Sequence, residues 1–399
     1  MKSNLVKYIG SNLLIKAFVF ISQIFVAFFI TAEELGAVKT AQAYIEVLSL
    51  FACMGLNASI LATAPKLKVV HDRAQLYSKI ITLTAINAIL VVASFLIIIC
   101  YSPIEFISNK LQVIVIWLLP LVLFTAITTQ LVSFLQCEKE FTTLAKGQFF
   151  AKLLSVPILI GVTYVFSLTG YIAALYLSGF ITIIIIINGI SFRLSPKLFS
   201  MSELKIQWSI AYGAFLSNVL GTFGFYSGLF VTNIVISEPE IIGNYSFALI
   251  LISGFEVISR SIQQYHIPHF SENAGSNLKT LERKYLKLSI MVSFPALCAA
   301  VLILKNLPEF KYIDALIPII ILIVAWCLSF KYTLKSGYFI ASGNTMLNFK
   351  TSIVNVSLTV TLSVLLGFAF GIIGIAIARL LTSIALVFTY EILYEDSKY

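Results

Sequence analysis

The sequence predicts an all-α polytopic membrane protein with about twelve transmembrane helices in two six-helix lobes related by a parallel pseudo-two-fold repeat. Three observations predict this fold: a series of long apolar stretches, basic loops on alternate sides, and a correspondence between the two halves. Hydrophobic residues make up 59% of the chain and charged residues 11%, against about 25% charged in soluble domains. Basic loops held against an anionic leaflet account for the net charge of +9, so no nucleic-acid partner is expected.

Each apolar stretch is roughly 17–27 residues long, which is enough for a helix to cross a hydrocarbon core of about 30 Å. In chain order, the spans are predicted at 12–30, 43–64, 78–100, 113–135, 149–167, 171–190, 210–236, 245–267, 288–304, 315–331, 351–370 and 372–393.

The distribution of loop charge predicts the orientation. With a cytoplasmic N-terminus, twenty lysines and arginines, Lys335 among them, lie on or near the cytoplasmic side, and four lie outside, namely Lys39, Lys110, Lys305 and Lys311. The excess of basic residues on one side favours that orientation. We therefore expect a multi-pass protein of the cell inner membrane with both termini in the cytoplasm.

The two halves of the chain match at an offset of about 204 residues. The offset slips to 207 between Gly36 and Gly243, and the positions that match at 204 are Tyr8 with Tyr212, Lys79 with Arg283, Lys146 with Lys350, and Gly170 with Gly374. Because six spans return the chain to its starting side, such repeats are parallel. This predicts an N-terminal lobe over 1–191, a cytoplasmic linker over 192–208 and a C-terminal lobe over 209–399. Leu194, Leu198, Met201, Leu204 and Trp208 suit a linker helix on the cytoplasmic surface.

The loops are too short to fold as a domain outside the membrane. The chain contains no nucleotide-binding G-x-x-x-x-G-K-[ST] loop and no G-x-S-x-G elbow. His266 and His269 are separated by Pro268 at a span end, and we do not expect them to bind metal. The sequence therefore predicts no catalytic residues, no cofactor and no metal.

Charged side chains inside the spans are the strongest candidates for function, because each costs several kcal/mol unless it is paired or solvated. Glu256 and Arg260 lie four residues apart on one face of the eighth span. They form either a self-neutralising pair that locks helix packing or a cavity-facing cation with a tuning neighbour. Gln263 and Gln264 continue the same polar face.

The remaining charged candidates each allow two interpretations. Arg379 is either a cavity cation or a partner of backbone carbonyls, and Lys16 faces either the cavity or the cytoplasmic headgroups. Glu46 either relays protons or faces the outer mouth, and Glu391 lies at the inner interface.

Uncharged polar side chains add a further set of candidates. Asn57, Asn218 and Tyr226 either hydrogen-bond between helices or line a sugar path.

Several motifs of the sequence resemble those of one known family. Thr31-Ala-Glu-Glu-Leu-Gly-Ala, followed by residues 45–58 (IEVLSLFACMGLNA), resembles the opening "E-x-x-G-x-x-x-x-A … L-x-x-x-G-L-x-x-A" of the O-antigen and capsule-unit flippases, a family of the multidrug/oligosaccharidyl-lipid/polysaccharide exporter superfamily. Gly243-Asn-Tyr-Ser-Phe-Ala with Pro268 resembles "G-x-Y-x-x-A … P", and residues 341–344 and 370–378 resemble two motifs near the end of the family pattern. The resemblance extends over essentially the whole chain.

The resemblance implies a flippase that moves undecaprenyl-pyrophosphate-linked oligosaccharide, an O-antigen or capsule repeat unit, from the cytoplasmic to the periplasmic leaflet by alternating access. It also implies as partners the lipid-linked oligosaccharide, membrane lipids, a polysaccharide polymerase and H+ or Na+ as coupling ion. A related group, the lipid II flippases, uses basic residues in its first and eighth spans, the helices that contain Lys16 and Arg260 here.

Two other functions remain open at this stage. A cation-coupled multidrug exporter of the same superfamily is expected to have mainly acidic groups in its cavity, whereas bases at least match acids within these spans. A membrane polysaccharide polymerase or glycosyltransferase is expected to carry a sizeable outer loop with catalytic residues. The sequence has no such loop.

Overall fold

The computed structural model describes residues 18–101, 109–190, 194–272, 278–306, 311–342 and 344–396. Within these residues the chain is helical, with short 3-10 turns at Ala64–Lys66 and Ile313–Ala315. The α-helices are α1 (Phe18–Phe29), α2 (Ala32–Cys53), α3 (Leu56–Thr63), α4 (Val70–Tyr101), α5 (Asn109–Leu118), α6 (Leu121–Cys137), α7 (Phe141–Asn188), α8 (Met201–Val235), α9 (Pro239–Glu272), α10 (Leu278–Asn306), α11 (Leu316–Ala341) and α12 (Thr345–Asp396).

These helices confirm the predicted all-α membrane fold. In the described part of the chain, seven helices are long and apolar enough to cross a membrane, or nine when the bent pairs α2–α3 and α5–α6 each count as one span. Both α7 and α12 are interrupted by a residue outside helical geometry, Ser167 and Gly371 respectively. Those interruptions fall where the sequence predicts the fifth span to give way to the sixth and the eleventh to the twelfth.

The turns within α7 and α12 have the same local structure. A side chain at Gly170 would collide with the Val162 carbonyl, and a side chain at Gly374 would collide with the Leu366 carbonyl. Both glycines and both carbonyls are 204 residues apart. The predicted offset therefore corresponds to a repeated local structure, in which glycine lets the returning helix approach the helix before the turn.

The first half of the chain contains a break that the second half lacks. Between α2 and α3, Met54 and Gly55 have φ values of 48° and 71°, and the two helices meet at a bend of 45°. A Cβ atom on Gly55 would lie 2.9 Å from the Phe215 backbone nitrogen, so the close approach of α8 requires glycine there. The corresponding part of α9 is continuous.

The predicted linker helix is wrong in its first half. Residues 194–200 are not helical, and the backbone N–H groups of Ser195 and Lys197 donate hydrogen bonds to α4 side chains, at 3.2 Å each. Helix α8 begins at Met201 because Ser200 and Glu203 cap each other, with the Ser200 N–H donating to Glu203 at 2.9 Å and the Glu203 N–H donating back to the Ser200 hydroxyl. Glu203 also pairs with Lys79 of α4 at 2.8 Å.

The chain divides into two compact units, and the division falls within α8. The N-terminal unit contains the described parts of residues 1–29 and 38–222, and the C-terminal unit contains those of residues 30–37 and 223–399. In the C-terminal unit, α11 contacts α9, α10 and α12. This arrangement places the polar residues of α9, α11 and α12 next to one another. The three-part division expected from the sequence stays a prediction.

Candidate functional site

The Glu256 carboxylate lies between two arginines in the C-terminal unit. Its Oε2 atom is 3.1 Å from Nη2 of Arg260, one turn along α9, and its Oε1 atom is 3.9 Å from Nη2 of Arg379 on α12. Two of the three predicted basic candidates, Arg260 and Arg379, thus share one acidic group. With one negative and two positive charges, the three side chains carry a net charge of +1.

Arg379 makes both kinds of contact that the sequence left open. Its Nη1 atom donates a hydrogen bond of 3.2 Å to the carbonyl oxygen of Gly224 on α8, and its side chain also lines a cavity. The Arg379 side chain is 25% exposed and that of Arg260 is 60% exposed. Arg260 also lies over the Phe225 ring, with its Cζ atom 5.9 Å from the ring centroid, so an aromatic face stabilises its charge.

The cavity beside Arg379 has a volume of ≈ 40 Å³. Helices α8, α9, α11 and α12 form its wall, and its polar lining includes Tyr245, Glu256, Trp326, Tyr332, Ser363 and Arg379. A Cβ atom on Gly228 would lie 2.6 Å from the Tyr245 hydroxyl. Glycine at that position therefore leaves room for the buried tyrosine. We name this space the C-terminal cavity.

A second cavity, of ≈ 260 Å³, lies within the N-terminal unit, and we name it the N-terminal cavity. Three predicted candidates, Glu46, Asn57 and Asn218, come together in its wall. Gly55 of the α2–α3 break also lines it, and the hydroxyl groups in the wall belong to Ser49, Thr125, Thr129 and Thr222. One carboxylate and many neutral oxygen atoms therefore face this space.

Other predicted candidates lie elsewhere. Tyr226 lines neither cavity and has ring contacts with Phe225 and Phe230, at centroid distances of 4.7 and 6.4 Å. Gln263 is half-buried one turn beyond Arg260. Lys16 and the side chain of Gln264 lie outside the described residues.

Sequence reasoning missed a buried charge cluster at Lys335. The Lys335 side chain is only 1% exposed, pairs with Glu391 of α12, and lies 3.4 Å from Glu282 of α10. The prediction placed Lys335 in a cytoplasmic loop because it ended the tenth span at residue 331, whereas α11 continues to Ala341. Apolar Leu334 and Phe339, both fully buried, are the sequence signal that the helix continues past Lys335.

His266 makes a hydrogen bond and a ring contact with neighbouring side chains. Nε2 of His266 lies 2.8 Å from the Tyr285 hydroxyl, and the imidazole stacks on the Phe270 ring with a centroid distance of 5.6 Å. The side chain of His269 is outside the described residues. Among the residues that are described, no group of three or more His, Cys, Asp or Glu residues could hold a metal ion.

Solved structures with the same fold are membrane transporters. The inward closed lipid II flippase MurJ superposes with a TM-score of 0.78 at 14% identity, covering 98% of this chain and 87% of its own. An inward-facing multidrug resistance MATE family transporter of the MOP superfamily gives 0.72 at 14% identity, with 96% and 94% covered. A eukaryotic MATE transporter gives 0.73 at 14% identity, with 98% and 95% covered. The chain therefore has the fold that these membrane transporters share.

The sequence family gives the second part of the identification. Residues 25–310 match the family described as polysaccharide biosynthesis protein. The chain belongs to that family, as the resemblance in its motifs predicted. No curated protein sequence matches it.

Proposed function

We propose that this protein is a flippase that moves an undecaprenyl-pyrophosphate-linked oligosaccharide from the cytoplasmic to the periplasmic leaflet of the inner membrane by alternating access. The observation that carries the proposal is the pair of arginines that share Glu256, since it leaves a net positive charge within apolar helices. The oligosaccharide is an O-antigen or capsule repeat unit in this proposal.

The physical argument begins with the cost of moving a charged headgroup through an apolar region. A pyrophosphate loses its hydration there, and the loss is offset only by fixed cations and hydrogen-bond donors. Arginine suits this task because its planar guanidinium binds phosphate oxygens in a bidentate manner and stays charged. Arg260, at 60% exposed, is the more accessible of the two arginines and is the proposed first contact.

The comparisons support a lipid-linked cargo over a drug. The family is named for polysaccharide biosynthesis, and one structural neighbour is named a lipid II flippase. One MATE neighbour is a multidrug resistance transporter by name, so a cation-coupled multidrug exporter is the second candidate function. The surplus of positive charge around Glu256 favours an anionic cargo over that alternative.

The N-terminal cavity is the proposed site for the coupling ion. Glu46 is the charged residue in its lining, which otherwise presents hydroxyl and amide groups. A carboxylate can take up H+, and a carboxylate with neighbouring hydroxyl and amide oxygen atoms can coordinate Na+. We also propose that both termini lie in the cytoplasm and that a polysaccharide polymerase is a partner of this protein.

Gene deletion with complementation tests the proposed function. Deletion should abolish surface polysaccharide, the wild-type gene should restore it, and Arg260→Ala should fail to restore it at an abundance within about twofold of wild type. Arg283→Ala is the matched control, because Arg283 is an exposed arginine on α10 that the proposal gives no role in binding. Normal surface polysaccharide in the deletion strain would refute the function, and full glycan with Arg260→Ala would refute the cargo-binding role.

A further inference from the structure

The C-terminal cavity contains hydrogen-bond donors that lack acceptors among the described residues. The Trp326 side chain lines the cavity and is 3% exposed, and its Nε1 atom has no hydrogen-bond partner there. An indole N–H is a donor only. Because a buried, unpaired donor costs about 1–3 kcal/mol, this N–H calls for an acceptor that enters the cavity.

Ser363 gives an independent observation of the same kind. Its side chain lines the same cavity, is fully buried, and its hydroxyl has no hydrogen-bond partner in the described part of the chain. Trp326 lies on α11 and Ser363 on α12, so two different helices each contribute a residue with a buried, unsatisfied polar atom to the wall of one space.

Arg379 supplies a third donor, and it carries charge. Its Nη1 atom binds the Gly224 carbonyl at 3.2 Å, but its Nη2 atom is 3.9 Å from Glu256. That distance is outside the usual range of about 2.7–3.2 Å for a hydrogen bond. Since a guanidinium has five N–H donors, Arg379 can bind a further acceptor in the cavity without giving up the Gly224 carbonyl.

The donor set and the size of the cavity define the ligand. A volume of ≈ 40 Å³ holds about three water molecules at roughly 10–15 Å³ each. That space fits one oxyanion group and excludes a sugar ring. A cation is disfavoured because Arg379 already supplies positive charge to the wall.

We propose that the C-terminal cavity is an oxyanion subsite, which receives one phosphoryl or carboxylate group of the cargo in the place beside Arg379 that Glu256 holds in this structure. The inference rests on the proposed function in taking the cargo to be anionic. Glu256 is then an internal competitor: its single charge offsets part of the charge of Arg260 and Arg379 before cargo arrives, and the cargo oxyanion displaces it. Trp326 and Ser363 bind oxygen atoms that Arg379 does not reach.

Tryptophan fluorescence gives a direct test. The chain has three tryptophans, so Trp117→Phe with Trp208→Phe leaves Trp326 as the sole reporter without altering the cavity. Inorganic pyrophosphate and glucuronate are titrated separately into the purified protein in detergent, because they represent the phosphoryl and carboxylate sources. Calorimetry measures total binding of the same two anions. We expect a saturable change in Trp326 emission with at least one of them.

Variants of the single-tryptophan protein then test each part of the subsite. Ser363→Ala should weaken anion binding about tenfold, as expected for a lost hydrogen bond to a charged group. Glu256→Gln should strengthen it at least tenfold, because the competing charge is gone. Glu240→Gln is the matched control, since it removes an exposed acid from the first turn of the same helix and should leave binding unchanged. Thermal unfolding of each variant identifies any that fail to fold, and Glu256→Asp replaces Glu256→Gln in that event, because its shorter side chain also weakens the competition.

The outcomes separate the subsite from the proposed function. If pyrophosphate binds by calorimetry but changes neither Trp326 emission nor affinity on Ser363→Ala, the subsite is wrong and the flippase proposal survives. If glucuronate alone changes Trp326 emission and calorimetry detects no pyrophosphate binding, the subsite stands and the pyrophosphate contact of the proposed function falls. If neither anion binds to the parent protein or to Glu256→Gln, the cavity holds water only and the inference is overturned.

Discussion

Ser167 and Gly371, which are 204 residues apart in the sequence, occupy the same left-handed backbone position at the two chain reversals. Their φ and ψ angles are 49° and −129° for Ser167 and 58° and −140° for Gly371. This region of conformational space strongly favours glycine, and other residues there cost of order 1–3 kcal/mol. The two halves therefore share a turn, but only the second half has the residue that suits it.

Exchanging these two residues should change stability in opposite directions. Ser167→Gly should raise the free energy of unfolding by about 1 kcal/mol or more, and Gly371→Ser should lower it by a similar amount. Ser178→Gly is the control within helical α7, where glycine should be destabilising by roughly 0.5–1 kcal/mol. Thermal unfolding in one detergent measures all three, and a destabilised Ser167→Gly protein would show that the turn is not strained.

The repeated turn and most of the spans could be predicted because apolar length and loop charge are local properties of the sequence, although the prediction ended the tenth span ten residues before α11 ends. The break at Met54 and Gly55 was not predicted from the sequence, because the apolar stretch continues through it. The close approach of α8 at Phe215, which requires glycine there, is a tertiary contact. Likewise, the Glu256–Arg260 pair follows from spacing on one helix, whereas the approach of Arg379 to Glu256 depends on how α12 lies beside α9.

The same limit applies to neutral residues of the C-terminal cavity. Trp326 and Ser363 look like ordinary span residues in the sequence, since only the packing of α11 beside α12 shows that their polar atoms lack partners among the described residues. A charged residue within an apolar span can be recognised in the sequence, whereas a polar atom without a hydrogen-bond partner can be recognised only in the structure.

Removal of the buried Lys335 charge should destabilise the C-terminal unit. Lys335→Ala leaves the carboxylates of Glu282 and Glu391 facing each other without their shared cation. Breaking a buried ion pair from one side typically costs about 3–5 kcal/mol, so a clear drop in thermal stability is expected. Adding Glu282→Gln and Glu391→Gln to Lys335→Ala should recover part of the loss.

A nearby exposed lysine provides the control for Lys335. Lys279 is 61% exposed and lies 3.7 Å from Glu391, so Lys279→Ala should cost at most about 1 kcal/mol. Equal losses in Lys279→Ala and Lys335→Ala would mean that burial does not set the strength of the Lys335 interactions.

The orientation predicted from loop charge can be tested by thiol labelling. After replacement of the five native cysteines, single cysteines at Lys146, Lys350 and Lys305, all exposed, report the side of the membrane. A membrane-impermeant maleimide should label Lys305→Cys in cells whose outer membrane alone is permeabilised. Lys146→Cys and Lys350→Cys should react only after the inner membrane is disrupted, and the reverse pattern would invert the topology.

Transport should depend on Arg379 less sharply than on Arg260, because the Arg379 side chain also has a structural contact with Gly224. If its charge in the cavity is what matters, Arg379→Lys should keep most of the surface glycan and Arg379→Ala should lose most of it. Lysine preserves the charge but cannot reproduce the planar fork that reaches both the Gly224 carbonyl and Glu256. Surface polysaccharide at matched protein abundance is the measurement. Equal loss in the two variants would assign Arg379 to the fork geometry that joins α8 and α12, and cargo binding would then rest on Arg260.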